Sequence, residues 1–215
     1  MLCSTGSTFA IDLAKLARLI ARRPRRAACR FLRHQKGATA VEFGFVAAPF
    51  IALMVAIMET GLVFFATQTL ETAVSDSARL VMTGQAQEKT VAKPNGMTIQ
   101  DFKKEVCDRL KAMFKCDDLY LDVQSYTTFG GIDSSIPINA TTGNFTKDAS
   151  LKDPDPTKLP PYNPGSAGDI VVVRVMYQWP IYADRLGLHL SNIAGTASHD
   201  KRLLTATAAF RNEPF

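Results

Sequence analysis

Residues 37–66, GATAVEFGFVAAPFIALMVAIMETGLVFFA, limit what this chain can fold into more than any other stretch. No charge falls between Glu42 and Glu59, and the apolar run resumes at Gly61 and continues to Ala66. A helix of about 20 predominantly apolar residues crosses a bilayer, so the stretch predicts one membrane span. The buried helix of a soluble core is usually shorter and lacks a dense block of Arg and Lys in front of it. A carboxylate near the middle of a bilayer costs about 3 kcal/mol on insertion scales, which makes the two acids informative. Glu42 opens the run, where a carboxylate at headgroup level costs little; Glu59 is assigned to the outer membrane interface or to a partner helix.

The basic block is the leader. Before Ala38 stand nine Lys and Arg against Asp12 alone, which leaves 16 bases and 19 acids for the remainder. The net charge of +5 and the pI near 9.1 therefore belong to the leader, and a nucleic-acid partner loses its support. Positive residues beside a span stay cytoplasmic, so the expected topology is N-terminus in and C-terminal part periplasmic or extracellular. An ordinary signal peptide fits poorly, because its apolar region runs only about 7–15 residues and ends at a small-residue cut, whereas this run ends in GLVFFATQT. Residues 9–33 put Phe9, Leu13, Leu16 and Ile20 at helical spacing among bases, which suits either an anionic membrane surface or a solvated tail. Cys3 and Cys29 fall on the reducing side, and Cys107 and Cys116 fall where a pair can oxidise. A continuous helix would hold that pair more than about 13 Å apart, so a disulfide requires the helix to end before Cys116 and the chain to fold back.

Beyond the span, Leu70, Val74, Ala78 and Val81 recur at three- and four-residue intervals with no Pro or Gly before Gly84, so the membrane helix continues outward as a stalk. Residues 98–115 read as a soluble helix with Ile99, Phe102, Val106, Leu110, Met113 and Phe114 on one stripe, which should cover a sheet. Strands are expected around Leu119–Gln124, where apolar and polar residues alternate, at Ile170–Trp179 and at Leu203–Phe210. Residues 128–168 are dense in Thr, Gly, Ser, Asn, Asp and Pro and read as a long surface loop without a core of its own. The expected fold class is α+β: a basic cytoplasmic leader over residues 1–37, a transmembrane helix and its extramembrane continuation over 38–84, and an exported helix-on-antiparallel-sheet domain over 85–215.

Catalytic and metal signatures are missing. His34, His189 and His199 stand in no HxxxH, CxxC or acid cluster, and there is no G-x-S-x-G and no Gly-rich phosphate loop. No cofactor and no small-molecule substrate is expected. A hydrolase on a stalk would need a polar cleft with a convergent acid, base or nucleophile.

The order of basic leader, Gly37, the small or apolar residues Ala38 to Val41, Glu42 and the aromatic Phe43 resembles the processing site of type IV prepilins, in which a cut after Gly37 makes Glu42 the fifth residue. More widely, KGATAVEFGFVAAPFIALMVAIMETGLVFFATQTLETAVSDSARLVMTG, GDIVVVRVMYQWPI and the terminal LLTATAAFRNEPF resemble the TadE/TadG-like family of tight-adherence (Flp) pilus assembly proteins. The resemblance implies a pseudopilin-like minor component of a bacterial inner membrane that is processed by a prepilin peptidase and works with other pilus assembly proteins and pilins in adherence. An uncut, single-pass scaffold component is the alternative. The ending Phe210-Arg211-Asn212-Glu213-Pro214-Phe215 places a polar trio between aromatic residues and is expected to be docked on the domain rather than to fray.

Overall fold

The computed structural model describes residues 37–89, 95–186, 190–193 and 201–215. The leader before Gly37, with Cys3, Cys29 and His34, lies outside them, as do His189 and His199. Helix α1 runs Ala38–Met82, with Pro49 inside it. Contacts divide the chain between Leu53 and Met54 into two compact units. In the first, the large apolar side chains of α1 from Val41 to Leu53 are exposed. Among the described residues, α1 is the helix long and apolar enough to cross a membrane.

The second unit, Met54–Phe215, holds the rest of α1, helix α2 (Ile99–Leu110) and strands β1 (Tyr120–Tyr126), β2 (Ile170–Pro180) and β3 (Lys201–Arg211). The strands pair antiparallel in the order β1-β2-β3. Ala66, Leu70, Ala73, Val74, Ala78 and Val81 of α1 share one core with Phe102, Val106 and Leu110 of α2 and with Val171, Val173, Val175 and Tyr177 of β2. The expected stalk is thus a structural layer of the domain. At its end Gly84 takes φ +80°, a left-handed turn suited to glycine, and Ala86 N–H reaches back to Leu80 O at 2.9 Å.

Helix α2 is shorter than its apolar stripe suggests. Thr98 and Asp101 form a reciprocal capping box at its start, but the helix stops at Leu110 and not near Lys115. Phe114 leaves the helix yet remains buried, edge-on to Tyr177 at 5.0 Å and to Trp179 at 5.7 Å, so tertiary packing overrides local periodicity here.

The second face of the sheet also differs from expectation. β1 is buried on both faces in its first half, with Tyr120 and Asp122 as covered as Leu121 and Val123. The cover is the polar segment 128–168, which the composition had marked as a surface loop. Phe145 stacks on Tyr120 with centroids 4.8 Å apart, Arg174 Nη1 donates to Asp133 O at 2.9 Å and Ser135 O at 3.0 Å, and Gln178 Nε2 donates to Gly143 O at 2.7 Å. Tyr162 packs beside Phe102 on the core side, while Val123 N–H donates to Pro161 O at 3.1 Å and closes the β1 edge. The segment has almost no core of its own because its backbone carbonyls satisfy side chains of the sheet. Beneath it, the register places Asp122 opposite Arg174, and the two form a buried ion pair through Nε at 3.0 Å and Nη2.

Candidate functional site: the membrane helix and its attachments

Gly37 forms the turn that leads into α1, and the helix begins at Ala38. Glu42 and Phe43 follow in its first turns, both exposed, with Phe43 at 73%. A Cβ at Gly37 would meet nothing within 4 Å, so the fold itself does not demand glycine there. Ala38 and Glu42 lie one helical turn apart, the spacing at which residues share a face.

Glu59 has a role that the sequence did not disclose. It is 8% exposed, its Oε1 accepts Tyr182 N–H at 2.5 Å and its Oε2 accepts Ala183 N–H at 2.7 Å. Both oxygens are therefore engaged within the chain at the start of the short 3-10 turn Ala183–Leu186. The bound groups are backbone donors 123 and 124 residues away, which no side-chain pattern reveals. The available signal was the acid itself, set in an apolar run.

Cys107 on α2 and Cys116 in the 3-10 turn Cys116–Asp118 are joined by a disulfide, with Cα atoms 5.7 Å apart. The early end of α2 brings them together. Beside them Lys103 is buried, its Nζ donating to Asp117 O at 3.3 Å and to Ala149 O. Burial pushes its pKa down to about 8, against the opposing pull of Asp117, Asp148 and Asp118. Asp148 is held down at about 2, chiefly by the Ser150 hydroxyl and further by the backbone N–H groups of Asp153, Ser150 and Lys152.

The C-terminal residues are tied to three places. Arg211 Nε donates to Gly168 O at 2.8 Å; Asn212, 3% exposed, donates through Nδ2 to Pro164 O and Ser166 O at 3.0 Å each; Glu213 N–H donates to Met82 O, the end of α1, at 2.9 Å. Pro214 is exposed, and the Phe215 ring lies against Gly84, where a Cβ would come within 2.5 Å of it. The polar trio is held mainly by Asn212 and by backbone groups, with Phe215 as the aromatic contact.

Within the second unit the disulfide and the C-terminal dock share no residues. Among the described residues, no group of three or more His, Cys, Asp or Glu converges. A groove of about 680 Å³ runs between Glu71, Ser75 and Arg79 of α1 and Thr207 to Phe210 of β3.

Among the described residues these features define a class: one long apolar helix whose C-terminal half forms one layer of a small α+β domain. Residues 37–79 match the family model described as TadE-like protein, so α1 from the residue before its first turn to Arg79 is TadE-like. The family is one of Tad pilus assembly proteins, for which membrane association and pilus assembly partners are expected. No curated protein and no solved structure matches the chain.

Proposed function

We propose that this protein is a pseudopilin-like minor component that acts in the assembly of a Tad/Flp-type pilus used in adherence. It is held in the bacterial inner membrane by α1, with its N-terminus cytoplasmic and its head outside. The observation that carries this reading is the start of the TadE-like match at Gly37, the residue after which a prepilin peptidase would cut. After the cut, the new amine on Ala38 pairs with Glu42 of its own or a neighbouring helix, which replaces two costly charges in lipid by one compensated pair and fixes the axial register of packing. The exported domain works as an assembly surface rather than a catalyst.

The test is complementation of a strain that lacks the gene. The wild-type chain restores pili and surface attachment, while Glu42→Ala inserts normally yet fails to restore them. Full restoration by Glu42→Ala at normal protein levels would assign Glu42 to the headgroup level, with no part in assembly.

A further inference from the structure

We infer that residues 181–186, which follow β2 and are latched to α1 by Glu59, are a docking surface for the outer leaflet of the membrane. This rests on the membrane-anchored reading above. Within the second unit the exposed apolar residues of α1 do not stop at Glu59: Met54, Ile57 and Met58 precede it, and Leu62, Phe64 and Phe65 follow it. That surface extends six residues past Glu59, about 9 Å of helix, so the level of Glu59 lies inside the apolar zone. Uncompensated polar groups are costly there, and those of α1 are satisfied: Thr60 Oγ1 donates to Ala56 O at 2.8 Å and both Glu59 oxygens are bound. The next charge along the helix is Glu71.

Whatever Glu59 holds must share its depth. It holds Tyr182 and Ala183, and Leu190 lines a shallow apolar cleft with Ala56, Ile57 and Thr60, so these residues lie against the lipid-level part of α1 at two points. Ile181 and Ala183 point inward, whereas Tyr182 is 66% exposed. An exposed tyrosine, apolar in body and polar at its tip, suits the acyl chain–headgroup boundary. Asp184 Oδ1 is drawn into its own turn, accepting Leu190 N–H at 2.6 Å. The occupant is lipid because Glu59 holds this patch at the level of the exposed apolar residues of α1 from Met54 to Phe65.

The experiment uses the full chain in vesicles with acyl chains brominated near the headgroup. Tyr182→Trp in a Trp179→Phe background serves as a depth probe, and Phe215→Trp in the same background, at the far end of α1, is the control. Neither probe position has a buried side chain. The expected result is blue-shifted Tyr182→Trp emission, lost in brominated vesicles and insensitive to aqueous acrylamide, with Phe215→Trp unaffected by bromine. If the first background misfolds, a nitroxide attached at residue 182 and read against lipid-soluble and water-soluble relaxants replaces it. A vesicle-bound protein whose residue 182 is open to acrylamide and unquenched by bromine overturns the inference and leaves the anchor intact. Shielding from both quenchers assigns the surface to a protein partner and also overturns it. Equal bromine quenching at 182 and 215 contradicts the assigned depth, and failure to float with vesicles overturns the membrane reading itself.

Discussion

The two halves of α1 differ in composition and in surroundings, the first apolar throughout and the second amphipathic. From Val41 to Met58 large apolar side chains such as Phe45, Phe50, Leu53 and Ile57 are exposed around the helix. From Ala66 to Val81 the apolar residues form one stripe that is buried in the core, while Glu71, Ser75, Asp76 and Arg79 face outward. An apolar residue therefore does different work in each half: the first half partitions into lipid, and the second half is a layer of the domain. The change falls near Ala66, and Glu59, about two turns before it, ties Tyr182 and Ala183 to the exposed apolar stretch through its carboxylate.

The sharpest way to break this comparison is to truncate one leucine in each half. Leu70→Ala opens a cavity under a fully buried position and should cost about 3 kcal/mol of head stability, followed by fluorescence of Trp179, the single tryptophan, in denaturant. Leu53→Ala should leave the same unfolding curve unchanged. Equal effects at the two positions would remove the distinction.

Next in size is the disulfide. Cys107→Ser should lower head stability by about 2 to 3 kcal/mol in the chain-entropy view, with flotation of the protein with vesicles unaltered. Two free thiols in protein isolated from the oxidising compartment without reductant would count against the assigned topology.

A smaller effect is expected at the C-terminal dock. Asn212→Ala removes the hydrogen bonds to Pro164 O and Ser166 O, each of which keeps a second donor in Gln87 Nε2 and Asp169 N–H, and should cost about 1 kcal/mol in thermal or denaturant unfolding. An unchanged curve would mean that the terminal residues contribute nothing to the head.

The smallest effect is a pH slope. Because the pKa of Lys103 is lowered to about 8 in the folded state, the unfolded chain binds more protons between pH 8 and its ordinary value of 10.5. The contribution of Lys103 to stability therefore rises as pH increases through that window. Lys103→Met should flatten the slope relative to wild type in paired denaturation curves at pH 8 and pH 10. A slope that persists in the variant would assign it to other groups.

The sequence carried the parts of this fold that depend on apolar periodicity. The stripe on α1, the cores of β2 and β3, and the start of α2 at the Thr98–Asp101 box were all legible because side-chain type alone determines them. The parts that depend on backbone partners were not. Residues 128–168 cover the sheet through the carbonyls of Asp133, Ser135 and Gly143, which any residue could supply, and Glu59 binds two backbone N–H groups for which the same holds. Asp122 and Arg174 offered a weak signal, since each interrupts an apolar strand and the register then sets them opposite one another. Of the candidate site, the Gly37–Phe43 order was visible at once, but the open space around Gly37 required coordinates.

The central claim is that α1 is a pilin-like helix released at Gly37. Its most direct test is the intact mass and N-terminal sequence of the protein recovered from membranes of a cell that carries the prepilin peptidase. The account predicts a mature chain that begins at Ala38, and an uncut chain when Gly37 is replaced by a bulky residue. A wild-type chain that retains the leader under those conditions would contradict pilin-like maturation and leave an uncut, single-pass assembly component in its place.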